Sequence, residues 1–366
     1  MSDLLLFLGA GVSTSFEVPV MSKMVEEFET QLLDNDSMSE QGRHYLEMIN
    51  DVGIYDEDVE LYSEISNVLR NEFGRYDLET VLIVLQTLSD SEKKDAYEAY
   101  ILSLFGKRRT ELLTEKKKHS ATKLKTMITQ HILGECMMFM SRYERYRHVY
   151  SDFFKMFEEI DPSLYHRDML PFSIYTTNYD RYLDRYLQER YTGRYSTAVT
   201  DYFLYDGIEG RLRIDPGMHF SRSFDPSNEY VKLHGSTNWY LAQNGEVIQR
   251  SEPTEENRKR RVLLYPTSEK PYYLNPWANI MMLFRRALER KNHWIAIGYS
   301  FNDDYLIGIF EEKLESSMKK LLIISPNGKD TAQKFFKGHK NVVGINCEFS
   351  KIRDYVGDIH QWFSSN

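Results

Sequence analysis

Short, nearly unbroken apolar runs recur along the chain, and most end in small or polar residues that lead into helical spacing. They are Leu4–Leu8 before Gly-Ala-Gly, Phe172–Tyr175 before Thr-Thr-Asn, and Tyr230–Leu233 before His-Gly-Ser. Arg261–Leu264 before Tyr-Pro-Thr, Trp294–Ile297 before Gly-Tyr-Ser, and Leu321–Ile324 before Ser-Pro-Asn follow, and Val342–Ile345 closes the set. A strand covered on both faces has no polar side to alternate with, so continuous runs of this kind predict a parallel sheet between helices. From Met21 to about Tyr165 the period changes. Apolar residues stand three and four apart, as in Leu78, Val81, Leu82, Leu85, Leu88 and again in Phe153, Phe154, Phe157, Ile160. The expected architecture is α/β: a Rossmann-like, mostly parallel sheet flanked by helices, with a large helical insertion after the first βα unit. The sheet domain is expected over 1–30 and 168–366 and the insertion over 31–167. Residues 186–230, rich in Tyr, Gly and Asp without a clear period, predict a smaller irregular or hairpin lobe.

Composition narrows the class. With 366 residues, 42% hydrophobic and 28% charged, the chain is globular rather than disordered, fibrous or coiled-coil. Forty-six Lys+Arg against fifty-five Asp+Glu leave a net charge of −9, so the whole surface does not attract polyanions and direct nucleic-acid binding is not expected. Two local stretches run against that balance: Lys107-Arg108-Arg109 with Lys116-Lys117-Lys118, and Arg142-Tyr143-Glu144-Arg145-Tyr146-Arg147. Solvated or interface helix faces explain both more readily than base stacking does. The two cysteines, Cys136 and Cys347, form no CxxC pair, which argues against a disulfide framework or a cysteine zinc site. The N-terminal apolar run lacks a basic flank and is too short for a signal peptide, and no run approaches a membrane span. A cytoplasmic location is the expectation.

Candidate chemistry sits where strands end. Gly9-Ala10-Gly11-Val12-Ser13 is a glycine turn leaving the first strand, where backbone can approach a phosphate and Ser13 or Ser15 can cap the helix near Met21. Thr176-Thr177-Asn178-Tyr179-Asp180 offers polar groups at the next strand end, with Asn178 or Asp180 alternatively serving as a helix N-cap. His234 follows Lys232-Leu233 and precedes Gly235-Ser236-Thr237-Asn238-Trp239; an imidazole there is a ready proton acceptor near pH 7. Gly298-Tyr299-Ser300-Phe301-Asn302-Asp303 and Ser325-Pro326-Asn327-Gly328 offer small groups and carboxylates suited to ribose hydroxyls, or plain turn chemistry. All five clusters fall at carboxyl ends of predicted parallel strands, so they line one edge of the sheet.

Taken in order, these motifs resemble the sirtuin-like NAD-consuming domains, and more the defence-associated branch that hydrolyses NAD than the protein deacylases. The resemblance covers roughly residues 1–30 and 168–347. It implies that Gly9, Ala10, Gly11 and Ser13 hold the pyrophosphate of NAD, and that Asn178 and Asp180 sit at the nicotinamide ribose. It further implies His234 as the catalytic histidine, and Gly298, Ser300 and Asp303 on the adenosine side, with Thr177 and Asn327 completing the binding set. Deacylases continue the phosphate loop differently from Glu17-Val18-Pro19-Val20-Met21 and carry a four-cysteine zinc module, so no metal is expected here.

The function so implied is that of an NAD glycohydrolase releasing ADP-ribose and nicotinamide, in antiphage defence by NAD depletion. The alternatives are an NAD-dependent deacylase and a non-catalytic nucleotide-sensing or assembly subunit. Cleavage of the nicotinamide–ribose bond passes through an oxocarbenium-like state and expels a neutral molecule, so a ribose-facing polar group and a base suffice. Asn178 and His234 fit those roles, with Asp180 orienting Asn178. Because the chain ends soon after its last predicted strand, control is expected in trans, through a homo-oligomer or the HerA-type ATPase implied by the resemblance, docking on the helical insertion.

Overall fold

The computed structural model describes residues 3–33, 53–73, 76, 78–89, 103, 105–106, 114–137, 139–162, 172–190, 204–205, 211–213, 230–241, 247–249, 261–263, 277–316 and 318–364. Contacts divide the chain into two units. One comprises Met1–Val18, Met137–Leu264 and Pro271–Asn366; the other comprises Pro19–Cys136 with Tyr265–Lys270.

The first unit is built on six parallel strands: β1 (Leu4–Leu8), β2 (Ser173–Thr176), β5 (Tyr230–Lys232), β9 (His293–Ile297), β10 (Lys320–Ser325) and β11 (Val342–Asn346). Their order is β11-β10-β9-β1-β2-β5. The chain therefore starts at β1, builds outward on one side through β2 and β5, then returns to build outward on the other through β9, β10 and β11. Such a reversal opens the ligand crevice of doubly wound sheets at the carboxyl ends of the two strands that flank it, here β1 and β9. Every residue of β1 is buried, which is why this strand reads as an unbroken apolar run rather than an alternating one.

Alternation still assigns faces. Leu5 and Phe7 join Trp294, Ala296, Leu321 and Ile323 in one core layer, which α8 (Trp277–Arg290) and α9 (Asp304–Leu314) cover with Phe284 and Phe310. The Phe7 ring lies 5.5 Å from Phe284, 4.8 Å from Tyr299 and 5.3 Å from Phe310. Burying such a side chain stabilises the fold by roughly 1.5–3 kcal/mol. A second aromatic cluster gathers Phe16, Tyr150, Tyr182, Phe153 and Phe349. It ties α6 (Phe139–Ile160) and α7 (Tyr182–Arg190) to the 3₁₀ segment Phe349–Tyr355 that precedes α10 (Val356–Ser364).

The same unit carries a smaller antiparallel sheet, ordered β3-β4-β7-β6-β8. Its strands are β3 (Leu204–Tyr205), β4 (Arg211–Arg213), β6 (Gly235–Leu241), β7 (Val247–Gln249) and β8 (Arg261–Leu263). This corrects the reading of Arg261–Leu264 as a parallel strand. Β8 pairs antiparallel with β6, and a three-residue run carries no local sign of its partner's direction.

The second unit is helical. It contains α2 (Met21–Leu33), α3 (Asp56–Val68), α4 (Leu78–Ser89) and α5 (Glu115–Met137), which bury Phe28, Leu61, Ile65, Val81, Leu85, Leu124 and Ile128. The basic run on α5 is spent on ion pairs: Lys116 with Glu57, Lys117 with Glu64 at 4.0 Å, and Lys118 with Glu115 at 2.5 Å. Lys123 is buried against Asp58. Lys107-Arg108-Arg109 lie outside the described residues. In the sheet unit the Arg142–Arg147 stretch is likewise committed. Arg142 donates to the Glu17 carbonyl at 2.8 Å, Tyr146 donates to the Glu17 carboxylate at 2.5 Å, and Tyr143 donates to Glu189 at 2.8 Å.

Candidate active site

The turn after β1 enters a short helix, α1 (Ala10–Ser13), packed against the turn after β9. Gly9 N–H donates to Ile297 O at 2.9 Å and Gly11 N–H to Gly298 O at 2.8 Å. These two amides are thus used between the two turns, and the glycines are required by the closeness of the turns. A Cβ on Gly9 would stand 2.6 Å from Gly298 O, one on Gly11 2.8 Å from Gly298 Cα, and one on Gly298 2.6 Å from Val12 N. Gly298 also has φ +63, a conformation that costs other residues roughly 1–2 kcal/mol.

Ser13 does not cap the helix near Met21, as one sequence reading had it. Its hydroxyl donates to Asp180 Oδ2 at 2.5 Å and accepts from Asn178 Nδ2 at 2.9 Å. Asn178 Nδ2 also donates to Gly9 O at 3.0 Å. A carbonyl oxygen only accepts, so the amide nitrogen must face Gly9, which fixes the flip of the side chain. Both hydrogens of Asn178 are then spent, while its Oδ1 is buried without a partner among the described residues. Asp180 completes the chain by accepting from Tyr182 N–H at 3.1 Å, which caps α7. Burial pushes the Asp180 carboxyl above its usual range, against the nearby Lys232 ammonium and the Ser13 bond. A raised value means that Asp180 takes up a proton more readily in the folded state than in the unfolded one. Ionised Asp180 therefore costs stability that returns as pH falls through its folded pKa.

Lys232 is the residue the sequence reading passed over. It ends β5, is 3% exposed, and aims its ammonium at the loop that carries Asn178. The Nζ donates to Tyr179 O at 3.4 Å, to Asp180 O, and to Asp184 Oδ2 at 2.9 Å; Tyr230 OH also reaches Asp184 at 3.0 Å. A charged residue inside an apolar strand run was the available signal, since a lysine is rarely buried unless paired.

A second group forms around His234, which is 7% exposed. Its Nε2 lies 3.7 Å from Asp303 Oδ2, an ion-pair rather than a hydrogen-bond distance. Asp303 caps α9 with its other oxygen, accepting from Tyr305 N–H at 3.1 Å and Leu306 N–H at 3.3 Å. The carboxylate expected on the adenosine side thus stands beside the histidine. Just before it, Phe301 is held at φ +52, its ring packed 4.8 Å from Tyr299 and 5.1 Å from Phe336. The two groups meet through Tyr179: its ring lies 6.5 Å from that of His234, and its carbonyl accepts from Thr237 N–H at 3.1 Å. Thr177 N–H donates to Leu8 O at 3.1 Å, anchoring the loop to β1. Ser300 and Asn327 follow β9 and β10 at the same edge, are exposed, and are not bonded to either group among the described residues.

Among the described residues no group of three or more His, Cys, Asp or Glu is placed to hold a metal ion. No described helix is long and apolar enough to cross a membrane.

No curated protein matches this chain. Solved structures similar to it include a mutant Sir2 homologue in complex with 2'-O-acetyl ADP ribose, at 11% identity and TM-score 0.41, covering 99% of this chain and 93% of that one. Another is a Sir2 homologue–NAD complex, at 12% identity and TM-score 0.40, covering 99% and 90%. The stretch 173–343, which holds Asn178, Asp180, Lys232, His234, Gly298 and Asp303, matches the family model of the SIR2-like domain.

Proposed function

We propose that this protein is an NAD glycohydrolase that cleaves NAD to ADP-ribose and nicotinamide, and that it serves antiphage defence by depleting NAD. The observation that carries the reading is the Asn178 amide. Its nitrogen is committed to Gly9 O and Ser13, and its Oδ1, beside the glycine turn at the carboxyl edge, has no partner among the described residues. That oxygen would accept from a ribose hydroxyl. The nicotinamide–ribose bond breaks with its electron pair moving onto the nicotinamide nitrogen, which leaves neutral. Water then adds to the ribose carbon and gives its proton to His234. Asp303, 3.7 Å behind the imidazole, favours the imidazolium that results. Gly9, Ala10, Gly11 and Ser13 would lie along the pyrophosphate. The Sir2 homologue solved with NAD agrees with such a ligand.

The test is chromatography of NAD incubated with the protein. ADP-ribose and nicotinamide in equal amounts are expected, and intact NAD under every activating condition would refute the reading. O-acyl-ADP-ribose in the presence of an acylated peptide would indicate a deacylase instead.

Asp303→Asn separates the geometry from the adenosine-side assignment. Asn caps a helix as well as Asp does, so the melting temperature should hold. If the carboxylate serves His234, kcat falls by about 10–100-fold with little change in KM. A raised KM with unchanged kcat would instead put Asp303 on the non-reacting half.

Control belongs to the same proposal: an unrestrained enzyme of this kind would exhaust its own cell. We take it to act in trans, within a homo-oligomer or with a HerA-type ATPase. The lysines of α5 do not supply the docking charge, because they are already paired within the helical unit.

A further inference from the structure

We propose that Asn238 is a specificity-determining residue whose side-chain amide recognises the carboxamide of nicotinamide. Asn238 is 3% exposed, and both Nδ2 and Oδ1 are buried with no hydrogen-bond partner among the described residues. A buried amide with neither atom paired is a net cost to folding, and such groups in native proteins call for a ligand or an ordered water.

Its position favours a ligand. Β6 starts at Gly235, which turns the chain away from His234 with φ +88. The next residues are bonded to the catalytic loop: Ser236 Oγ donates to Tyr179 O at 3.5 Å and Thr237 N–H to the same oxygen at 3.1 Å. Tyr179 stands between Asn178 and Asp180. Asn238 follows Thr237 directly and so lies within two residues of both bonds to the Tyr179 carbonyl. It also falls where the pairing of β6 with β8 is irregular, between Gly235 and Tyr240. Irregularities of this kind are frequent beside active sites, where they re-aim a side chain.

Chemistry narrows the ligand. Satisfying Asn238 takes one planar edge carrying both a donor and an acceptor. In NAD two edges qualify, the carboxamide of nicotinamide and the amidine edge of adenine. The link through Tyr179 to Asn178 and His234 puts Asn238 with the reacting end, so the carboxamide is the partner. This rests on the NAD reading above and deepens it by naming what selects the leaving group.

The experiment compares wild type with Asn238→Leu, which keeps the branched shape without polar atoms, by melting temperature and by calorimetric titration with NAD and with ADP-ribose. The expected result is an unchanged or slightly higher melting temperature, NAD affinity lowered at least about tenfold, and ADP-ribose affinity unaltered. A lowered melting temperature would show that the amide serves the fold and would overturn the proposal. So would equal weakening of both ligands, which points to the adenine edge, and so would unchanged NAD affinity. Wild type supplies an independent arm. It should bind NAD at least about tenfold more tightly than nicotinic acid adenine dinucleotide, whose carboxylate would face Asn238 Oδ1 without a donor. Equal affinities would overturn the assignment while leaving the NAD reading intact. Wild type that binds neither NAD nor ADP-ribose would remove both.

Discussion

Asn178→Asp is expected to lower NAD turnover about 1000-fold, close to 4 kcal/mol of transition-state stabilisation. The change is nearly isosteric, so shape is kept and hydrogen bonding is altered. Asn178 Nδ2 makes two donations, to Gly9 O at 3.0 Å and to Ser13 Oγ at 2.9 Å. A carboxylate has no hydrogen for either. It would instead set a negative oxygen against the Gly9 carbonyl and against a hydroxyl whose own proton goes to Asp180. The loop must then move or take up a proton, and in either case the oxygen aimed at substrate is displaced. Truncation to Ala should cost comparable activity, and also about 1–2 kcal/mol of stability for the lost bonds. The stability cost arises because the side chain is bonded within the fold rather than free in a crevice. The check is kcat for both variants alongside their melting curves. Turnover within tenfold of wild type in the Asp variant would exclude Asn178 from the reacting end.

The parallel sheet was legible because of what a doubly covered strand requires. Leu4–Leu8 has no polar position, and burial of all five residues is the reason. The placing of five clusters on one edge followed from strand polarity alone. What local pattern could not tell was which strand pairs with which. Arg261–Leu263 has the look of the other short runs yet belongs to the antiparallel sheet. Nor could periodicity say where helix 139–160 packs, since its apolar spacing matches that of the helices before it.

At the site, residue types and order were legible and long-range bonds were not. Ser13 and Asp180 lie 167 positions apart, so a serine after a glycine turn read as a cap when it is a link in a hydrogen-bond chain. Asp303 reads as an adenosine-side residue, and nothing in Asn302-Asp303-Asp304 announces that its carboxylate stands 3.7 Å from His234 in the turn after β5. The lysines of α5 looked like a free basic patch, since Glu57 and Glu64, which pair with two of them, come from α3. Lys232 is different: a lysine inside an apolar strand run is itself the mark of a buried, paired charge.

Lys232→Met should therefore have a large effect although the side chain need touch no substrate. The ammonium is 3% exposed and holds three groups at once, the carbonyls of Tyr179 and Asp180 and the Asp184 carboxylate. Removing one partner of a buried pair leaves the other unpaired, typically a loss of about 3–5 kcal/mol. Because the Asp184 side chain keeps 23% exposure, water recovers part of that loss. About 2–4 kcal/mol, or a melting point lower by roughly 5–10 °C, is the expected cost. Activity should fall further than stability accounts for. The freed carbonyls follow directly on Asn178, so well below the new melting point kcat should drop at least about tenfold, while ADP-ribose, held by the glycine turn, still binds. Asp184→Asn provides the control: it keeps an acceptor for Lys232 and for Tyr230, removes only the charge, and should retain most of the turnover. An unaltered melting temperature for Lys232→Met would mean that the loop is held by other bonds. Parallel loss of ADP-ribose binding and of turnover would mean that the whole edge, rather than the Asn178 loop, depends on this lysine.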